Sequence, residues 1–246
     1  MSSQVSPSKL RSRSACDTAP ELPLSWPTTG PDPFFLTSQP ALIFHNAIYQ
    51  HHHQTNNTNL AQYSRYGHIQ KLAEAEAAGI RAAGGSCDLF RVPETIAHRG
   101  TLPAEPSTGP DAGTEGSSIQ TLDSPTTLEA YDGFLFGVPT RYGNMPAQWK
   151  TFWDGTGAQW AQASYKGKFA GLFVSTSTQG GGQESTCVAM MSTLAHHGMI
   201  YVPLGYGEAF PLLADLSEVR GGSPWGAGTF AVSQQSRLKC VGLALA

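Results

Sequence analysis

The chain has 246 residues, 40% of them apolar and 10% aromatic, enough for one large domain or two small ones around a buried core. That composition excludes a fibrous or wholly disordered protein. Fifteen Lys and Arg against eighteen Asp and Glu leave a formal charge of -3, so there is no basic surplus to neutralise the phosphates of a nucleic acid. No apolar run approaches the roughly 18 residues of a membrane span, and the N-terminus lacks the apolar stretch of a secretory signal. The expectation is a soluble, cytoplasmic protein with no nucleic-acid partner and no transmembrane segment. A Ser-rich start with Lys9, Arg11 and Arg13 has some character of a transit peptide, but Pro7, Asp17, Pro20 and Glu21 break any amphipathic helix there. The cysteines, Cys16, Cys87, Cys187 and Cys240, have no C-x-x-C spacing, which argues against a disulfide framework or a zinc site.

In chain order, residues 1 to 57 read as a disordered leader and a low-complexity linker. Their Ser, Pro and Thr content cannot bury enough apolar area to offset ordering. Within them, 41–49 (ALIFHNAIY) has strand-like composition, and His51, His52 and His53 lack carboxylate partners, so no metal is expected. Residues 58–232 read as a folded domain. Ile69, Leu72, Ala73, Ala77 and Ile80 recur at helical spacing and predict a helix over 68–83, with Gly84 and Gly85 as terminator. Cys87 to Val92 reads as a strand. The stretch from about 97 to 124 is a Pro/Gly/Ser/Thr loop, long for a compact domain. Phe134 to Val138, Phe169 to Ser175 and Met199 to Leu204 are continuously apolar, as in parallel strands covered on both faces. Helices over 145–154, after Asn144 as N-cap, and over 184–197, closed by Gly198, separate them. This alternation predicts a doubly wound α/β sheet with right-handed crossovers. Residues 233–246 read as an irregular tail.

Ligands of an open parallel sheet bind outside the carboxyl ends of its strands. Three loops there carry the relevant residue types. Ser64-Arg65-Tyr66-Gly67-His68 stands before a helix whose first N–H groups and positive dipole end suit a phosphate, although ordinary capping also explains it. Pro139-Thr140-Arg141-Tyr142-Gly143-Asn144 combines an aromatic ring, a guanidinium and a glycine. The run from Ser175 through Gln179 and Gly180 to Glu184 is rich in hydroxyls and glycine, suited to wrap the edge of a polar heterocycle with backbone donors and acceptors. Gly226 to Ala231 fits G-x-G-x-x-A in letters, but without a preceding strand or following helix it does not read as a dinucleotide fingerprint. Asp132 and Asp154 read as edge groups rather than an acid/base pair. His196 and His197 close a helix, where a histidine often complements the negative dipole end.

The segments SRYGHIQKLAEAEAAGIRAAGGSCDLFRVPET, YDGFLFGVPTRYGNMPAQWKTFWDGTGAQW, GLFVSTSTQGGGQES, TLAHHGMIYVPLGY and VRGGSPWGAGTF cover most of residues 64 to 230. In this combination the chain resembles the WrbA-type NAD(P)H:quinone oxidoreductases of the flavodoxin-like superfamily, most closely their fungal members. The resemblance implies a five-stranded parallel sheet of order 2-1-3-4-5, FMN as cofactor, NADH or NADPH as co-substrate, a quinone as substrate, and a homotetramer with sites near subunit junctions. By position, Ser64, Tyr66, Gly67, His68 and Ile69 would form the phosphate loop. Pro139, Thr140, Arg141, Tyr142, Gly143 and Asn144 would bind along the isoalloxazine. Ser175, Thr176, Ser177, Thr178, Gln179 and Gly180 would follow the other ring edge and the ribityl chain. His196 would face the pocket above the flavin, and Trp160 would complete the pocket of a neighbouring subunit. The implied activity is ping-pong two-electron reduction of quinones, in which no side-chain nucleophile is needed.

The sequence departs from that family in three places. Asn59-Leu60-Ala61-Gln62-Tyr63 stands where members carry an apolar, β-branched first strand, so this central strand is in doubt, with 41–46 as a distant substitute. Gly/Pro-rich residues replace a short helix over 97–118, and AVSQQSRLKCVGLALA replaces a long amphipathic helix after Phe230. A second reading therefore stands beside the enzyme: a degenerate or mis-spliced member without activity, at most a weak flavin binder or scaffold. A one-electron flavodoxin-type carrier is a third, weaker reading, because such carriers are typically strongly acidic.

Overall fold

The computed structural model describes residues 57–95, 119–207, 209–217, 219–231 and 240–241. The leader up to residue 56 with its three histidines, most of the 97–124 loop, and tail residues 232–239 and 242–246 lie outside the described residues. Among the described residues there is no helix long and apolar enough to cross a membrane, and no group of three potential metal ligands.

The strands are β1 (Asn57–Gln62), β2 (Ser86–Arg91), β3 (Gln120–Thr121), β4 (Gly133–Pro139), β5 (Phe169–Thr176), β6 (Ile200–Tyr201), β7 (Ala227–Phe230) and β8 (Cys240–Val241). The helices are α1 (His68–Ala82), α2 (Ala147–Asp154), α3 (Gly157–Ala161), α4 (Gln183–His196) and α5 (Phe210–Ala214), with a 3-10 turn at Pro125–Ala130. The sheet runs β3-β2-β1-β4-β5-β7-β8, with β6 paired separately to β5. Every pairing is parallel except β7 with β8. Setting aside the two-residue edges, β2-β1-β4-β5-β7 is the expected 2-1-3-4-5 order of a flavodoxin-like α/β sheet.

Two expectations about strands are corrected. The first strand is present, and it is NTNLAQ rather than any part of 41–46. β1 lies between β2 and β4 in register along nearly its whole length, so its backbone groups are satisfied on both sides despite its polar side chains. Leu60 and Ala61 pack into opposite faces of the core. Asn59 and Gln62 are fully buried; among the described residues the Gln62 amide has no hydrogen-bond partner, while Asn59 lies against the Tyr131 hydroxyl, which donates to Asp88 at 2.9 Å and can still accept from the Asn59 amide. Met199 to Leu204, expected as a full strand, contributes only the two residues of β6, against Phe169 and Ala170 at the start of β5. One further bond follows, from Val202 N–H to Ala170 O at 2.9 Å, and the pairing ends there. The place beside the outer half of β5 belongs to β7, in the Gly226–Ala231 segment that had shown no strand pattern.

Side chains alternate across the sheet. Phe134, Phe136, Leu172 and Val174 face α2 and α4, where Trp149, Trp153 and Met190 complete one cluster. Phe136 meets Trp149 and Trp153 edge-on, with ring centroids 5.5 and 5.3 Å apart. Leu60, Leu135 and Phe173 face α1 and its buried stripe of Ile69, Leu72, Ala73, Ala77 and Ile80. Toward β5 and β7 this second face is less completely covered. A shallow cleft opens there, lined by Leu135, Leu172, Val202, Leu204 and Ala227, with the Glu76 carboxyl of α1 as its acid. Glu76 is buried, and burial alone raises its pKa from 4.5 to about 8.

Candidate functional site

β1, β4 and β5 are adjacent and parallel, so the three loops leaving them emerge at one rim. With strands spaced about 4.8 Å apart, their ends fall within roughly 10 Å of one another. The chain passes from β1 to β2 on one side and then crosses to β4 on the other. The crevice between β1 and β4 is therefore the point where strand order reverses, the usual ligand position in an open α/β sheet.

The first loop leaves β1 with Tyr63 N–H donating to Gly137 O at 3.2 Å. Ser64 is buried and Tyr66 exposed. Gly67 is the N-cap of α1, at φ 80, a left-handed conformation that favours glycine. It has no side chain with which to accept from the first turn. The first amides of α1 and the positive end of its dipole face outward from the helix, an arrangement that suits an anion. Ile69, expected in the phosphate loop, is 1% exposed and packs into the core, so only its backbone can serve a ligand.

The second loop is a tight two-residue turn. Arg141 and Asn144 exchange backbone hydrogen bonds of 2.8 and 3.1 Å around Tyr142 at φ 56 and Gly143 at φ 77. Positive φ at both central positions is the twist of a type I′ turn, and at Tyr142 it strains a residue with a Cβ. The Tyr142 ring projects fully into solvent. Asn144 does not cap α2 as expected; Pro146 holds that position, and Asn144 Oδ1 accepts from Met145 N–H at 2.7 Å. Pro139 is the last, buried residue of β4.

The second and third loops are stitched together. Thr140 N–H donates to Ser175 O at 2.9 Å. The Thr186 hydroxyl donates to Gly182 O at 2.7 Å, which leaves the Thr140 hydroxyl to donate to Thr186 Oγ1, also at 2.7 Å, while Thr140 Oγ1 accepts from Gly143 N–H at 3.1 Å. A Cβ on Gly182 would stand 3.0 Å from Gly143 Cα and 2.7 Å from Ser185 Oγ, so the close approach of these loops needs glycine. Ser175 and Thr176 are buried at the end of β5; Ser177, Thr178, Gln179 and Gly180 are exposed at the rim. Thr176 Oγ1 donates to Thr178 O at 2.8 Å and accepts from Gln183 Nε2 at 3.2 Å. Gln183, part of the expected third loop but given no role of its own there, also donates to Thr229 O and accepts from Gly222 N–H, tying the rim to β7.

A second unforeseen group joins the first two loops. Glu94, just beyond β2, accepts from Tyr63 Oη at 2.6 Å with one carboxylate oxygen and from Gln148 Nε2 with the other. Burial and the Glu94 carboxylate push the Tyr63 phenol well above its usual pKa, opposed by the Arg141 and Arg65 guanidiniums.

The structure does not bring His196 into this crevice. α4 starts near the carboxyl end of β5 and runs back about 20 Å over its 14 residues. The following β6 pairs with the first residues of β5, so His196 is exposed at the opposite edge. Its neighbour His197 is the buried one. Its ring centroid lies 5.6 Å from Trp153 and 5.1 Å from Tyr165, and its Nε2 is 2.9 Å from Thr156 Oγ1. The Thr156 hydroxyl donates to Trp153 O, so the histidine donates from Nε2 and keeps Nδ1 as an unpartnered acceptor. Burial and the nearby His196 lower its pKa. Trp160 is 61% exposed on α3, beside Gln159, which reaches Glu129 of the 3-10 turn that precedes β4; it too stands away from its own chain's rim.

Comparison with known proteins places the chain among flavin reductases. The family model described as NADPH-dependent FMN reductase matches residues 61–208. The chain is 57% identical over 178 residues to the minor allergen Alt a 7 of Alternaria alternata, covering 72% of this chain and 84% of that protein. It is 55% identical over 175 residues to the NAD(P)H quinone oxidoreductase PST2 of Candida albicans, covering 71% and 82%. Among solved structures it is similar to the flavodoxin, WrbA-like protein of Agrobacterium tumefaciens, with a TM-score of 0.43 and 24% identity over 59% of this chain and 76% of that one.

Proposed function

Because the chain belongs to the NADPH-dependent FMN reductase family, we propose that it is an FMN-dependent NAD(P)H:quinone oxidoreductase, whose cofactor lies in the rim crevice between β1, β4 and β5. The observation that carries this reading is the convergence of three loops there: the uncapped α1 terminus at Gly67, and the two loops interlocked through Thr140, Thr186, Gly143 and Gly182. These residues fit FMN, whose phosphate suits the first-turn amides and whose planar ring suits the exposed backbone of the other two loops. When bound, FMN supplies two-electron redox chemistry, taking a reducing equivalent from the nicotinamide and passing it to the quinone.

The chain's own part is binding and orientation. Amides at Gly67, His68 and Ile69 hold the phosphate, with Ser64 and Tyr66 beside them. Thr140 fixes the Gly143 amide so that the second loop keeps its shape before a ligand arrives. Pro139, Arg141, Tyr142 and Asn144 border one side of the ring, and Ser175, Thr176, Ser177, Thr178, Gln179 and Gly180 border the other. One open pocket serving two substrates in turn gives ping-pong kinetics. In its finer points the reading is a WrbA-type member, cytoplasmic and homotetrameric, with Trp160 closing a neighbour's pocket, which agrees with its exposure away from its own rim.

The test is purification of the full chain, assay of bound flavin, and benzoquinone reduction with NADH or NADPH. Turnover with parallel initial-rate lines supports the reading; a chain that takes up no FMN refutes it. The Gln62 amide, buried without a partner among the described residues at the end of β1 beneath the first loop, favours one alternative, a relative that holds flavin too weakly to turn over. Flavin bound without quinone reduction would support that alternative.

A further inference from the structure

Glu94 is the carboxylate that joins the first and second loops. It lies three residues past β2, on the far side of β1 from β4, yet one of its oxygens accepts from Gln148 in the first turn of α2, the helix that follows the second loop. The other accepts from Tyr63, the residue before Ser64 in the first loop, at 2.6 Å. Both donors belong to buried residues, each 3% exposed, whereas Glu94 itself is exposed, so the bridge ties the interior of the domain to its surface. Arg65 of the first loop and Arg141 of the second both act electrostatically on the same Tyr63 hydroxyl.

We propose that Glu94 is a positioning residue whose carboxylate, bridging Tyr63 and Gln148, sets the separation of the first and second loops and so lets one ligand engage both at once. The inference rests on the FMN reading above and adds a residue to it. FMN has a phosphate at one end and a ring system at the other, whereas riboflavin keeps the ring and the ribityl chain and lacks only the phosphate. A ligand held at both ends gains an effective-concentration advantage only when the two subsites keep the right spacing. Loosening the bridge should therefore cost FMN its advantage and leave riboflavin, which needs only one end, nearly as before. A residue that merely stabilised the fold would weaken both flavins alike.

The experiment measures FMN and riboflavin affinities of the full chain by flavin fluorescence, for wild type, Glu94→Ala and Tyr63→Phe. Tyr63→Phe keeps the buried ring and removes one arm of the bridge, and so serves if Glu94→Ala does not fold. The expected result is about a tenfold or larger fall in FMN affinity for Glu94→Ala, with riboflavin affinity changed less than roughly threefold, and a smaller shift in the same direction for Tyr63→Phe. Amide exchange of the ligand-free protein should quicken together over 63–69 and 139–149. An FMN-to-riboflavin affinity ratio within about twofold of wild type, or exchange unchanged in either loop, overturns the role of Glu94 while leaving the FMN reading standing. A wild-type chain that binds neither flavin overturns both.

Discussion

Replacing Glu76 by glutamine should change how stability depends on pH rather than lower it uniformly. The Glu76 carboxyl is buried in the cleft beside β5 and β7, and burial raises its pKa from 4.5 to about 8. Between those values the unfolded chain has released the proton while the folded chain still holds it. The stability associated with the neutral acid is thus complete below about pH 4.5 and is lost as pH rises toward 8. The slope is about 1.4 kcal/mol per pH unit, so the loss reaches about 3 kcal/mol at pH 7. Glutamine has nearly the same shape and cannot ionise, so Glu76→Gln should be free of this slope. Urea unfolding followed by tryptophan fluorescence at about pH 5, 6, 7 and 8 gives the stability difference between variant and wild type at each pH. That difference should widen steadily in favour of the variant. A difference constant across all four would mean that Glu76 ionises normally in the folded protein, and the reasoning about its burial would be wrong.

Gln62→Leu should stabilise the protein by about 1–2 kcal/mol, because it removes a buried amide without a partner among the described residues from the central strand; thermal unfolding checks this, and a loss of stability would show that this amide is paired. Thr140→Val removes both the donor to Thr186 and the acceptor for Gly143 N–H, and should lower FMN affinity by about tenfold, measured by titration, with little change in far-UV circular dichroism. His196→Ala should leave kcat for quinone reduction within about twofold of wild type, because the side chain is a helix length of about 20 Å from the rim; a loss of about a hundredfold would return it to the site.

What the sequence made legible follows its hydrophobic pattern. Ile69, Leu72, Ala73, Ala77 and Ile80 announce α1, and the apolar runs of β4 and β5 announce two central strands. β1 was obscured because Asn59 and Gln62 occupy buried positions where burial favours apolar side chains, and only pairing on both sides holds the segment in a strand. β7 was obscured for a different reason: Ala227, Gly228 and Thr229 are small and have little β signature, yet they fit where the backbone packs closely against Gln183 and Gly222. The three rim loops could be found from their glycines and hydroxyls, since backbone access needs those residue types. Glu94 could not, because its donors Tyr63 and Gln148 lie 31 and 54 residues away and meet it only when the sheet is folded. That His196 closes α4 was legible from Gly198 behind it, but its distance from the rim of its own chain follows only from the pairing of β6 with the first residues of β5.

The most direct test of the central claim, that three loops at one rim grip a single flavin, is calorimetric titration of FMN into the full chain with amide exchange followed residue by residue. One FMN per chain, with protection gained together at 64–69, 139–144 and 175–180, is the expected result. Binding that protects only one of these loops, or protects residues around the Glu76 cleft instead, would contradict it.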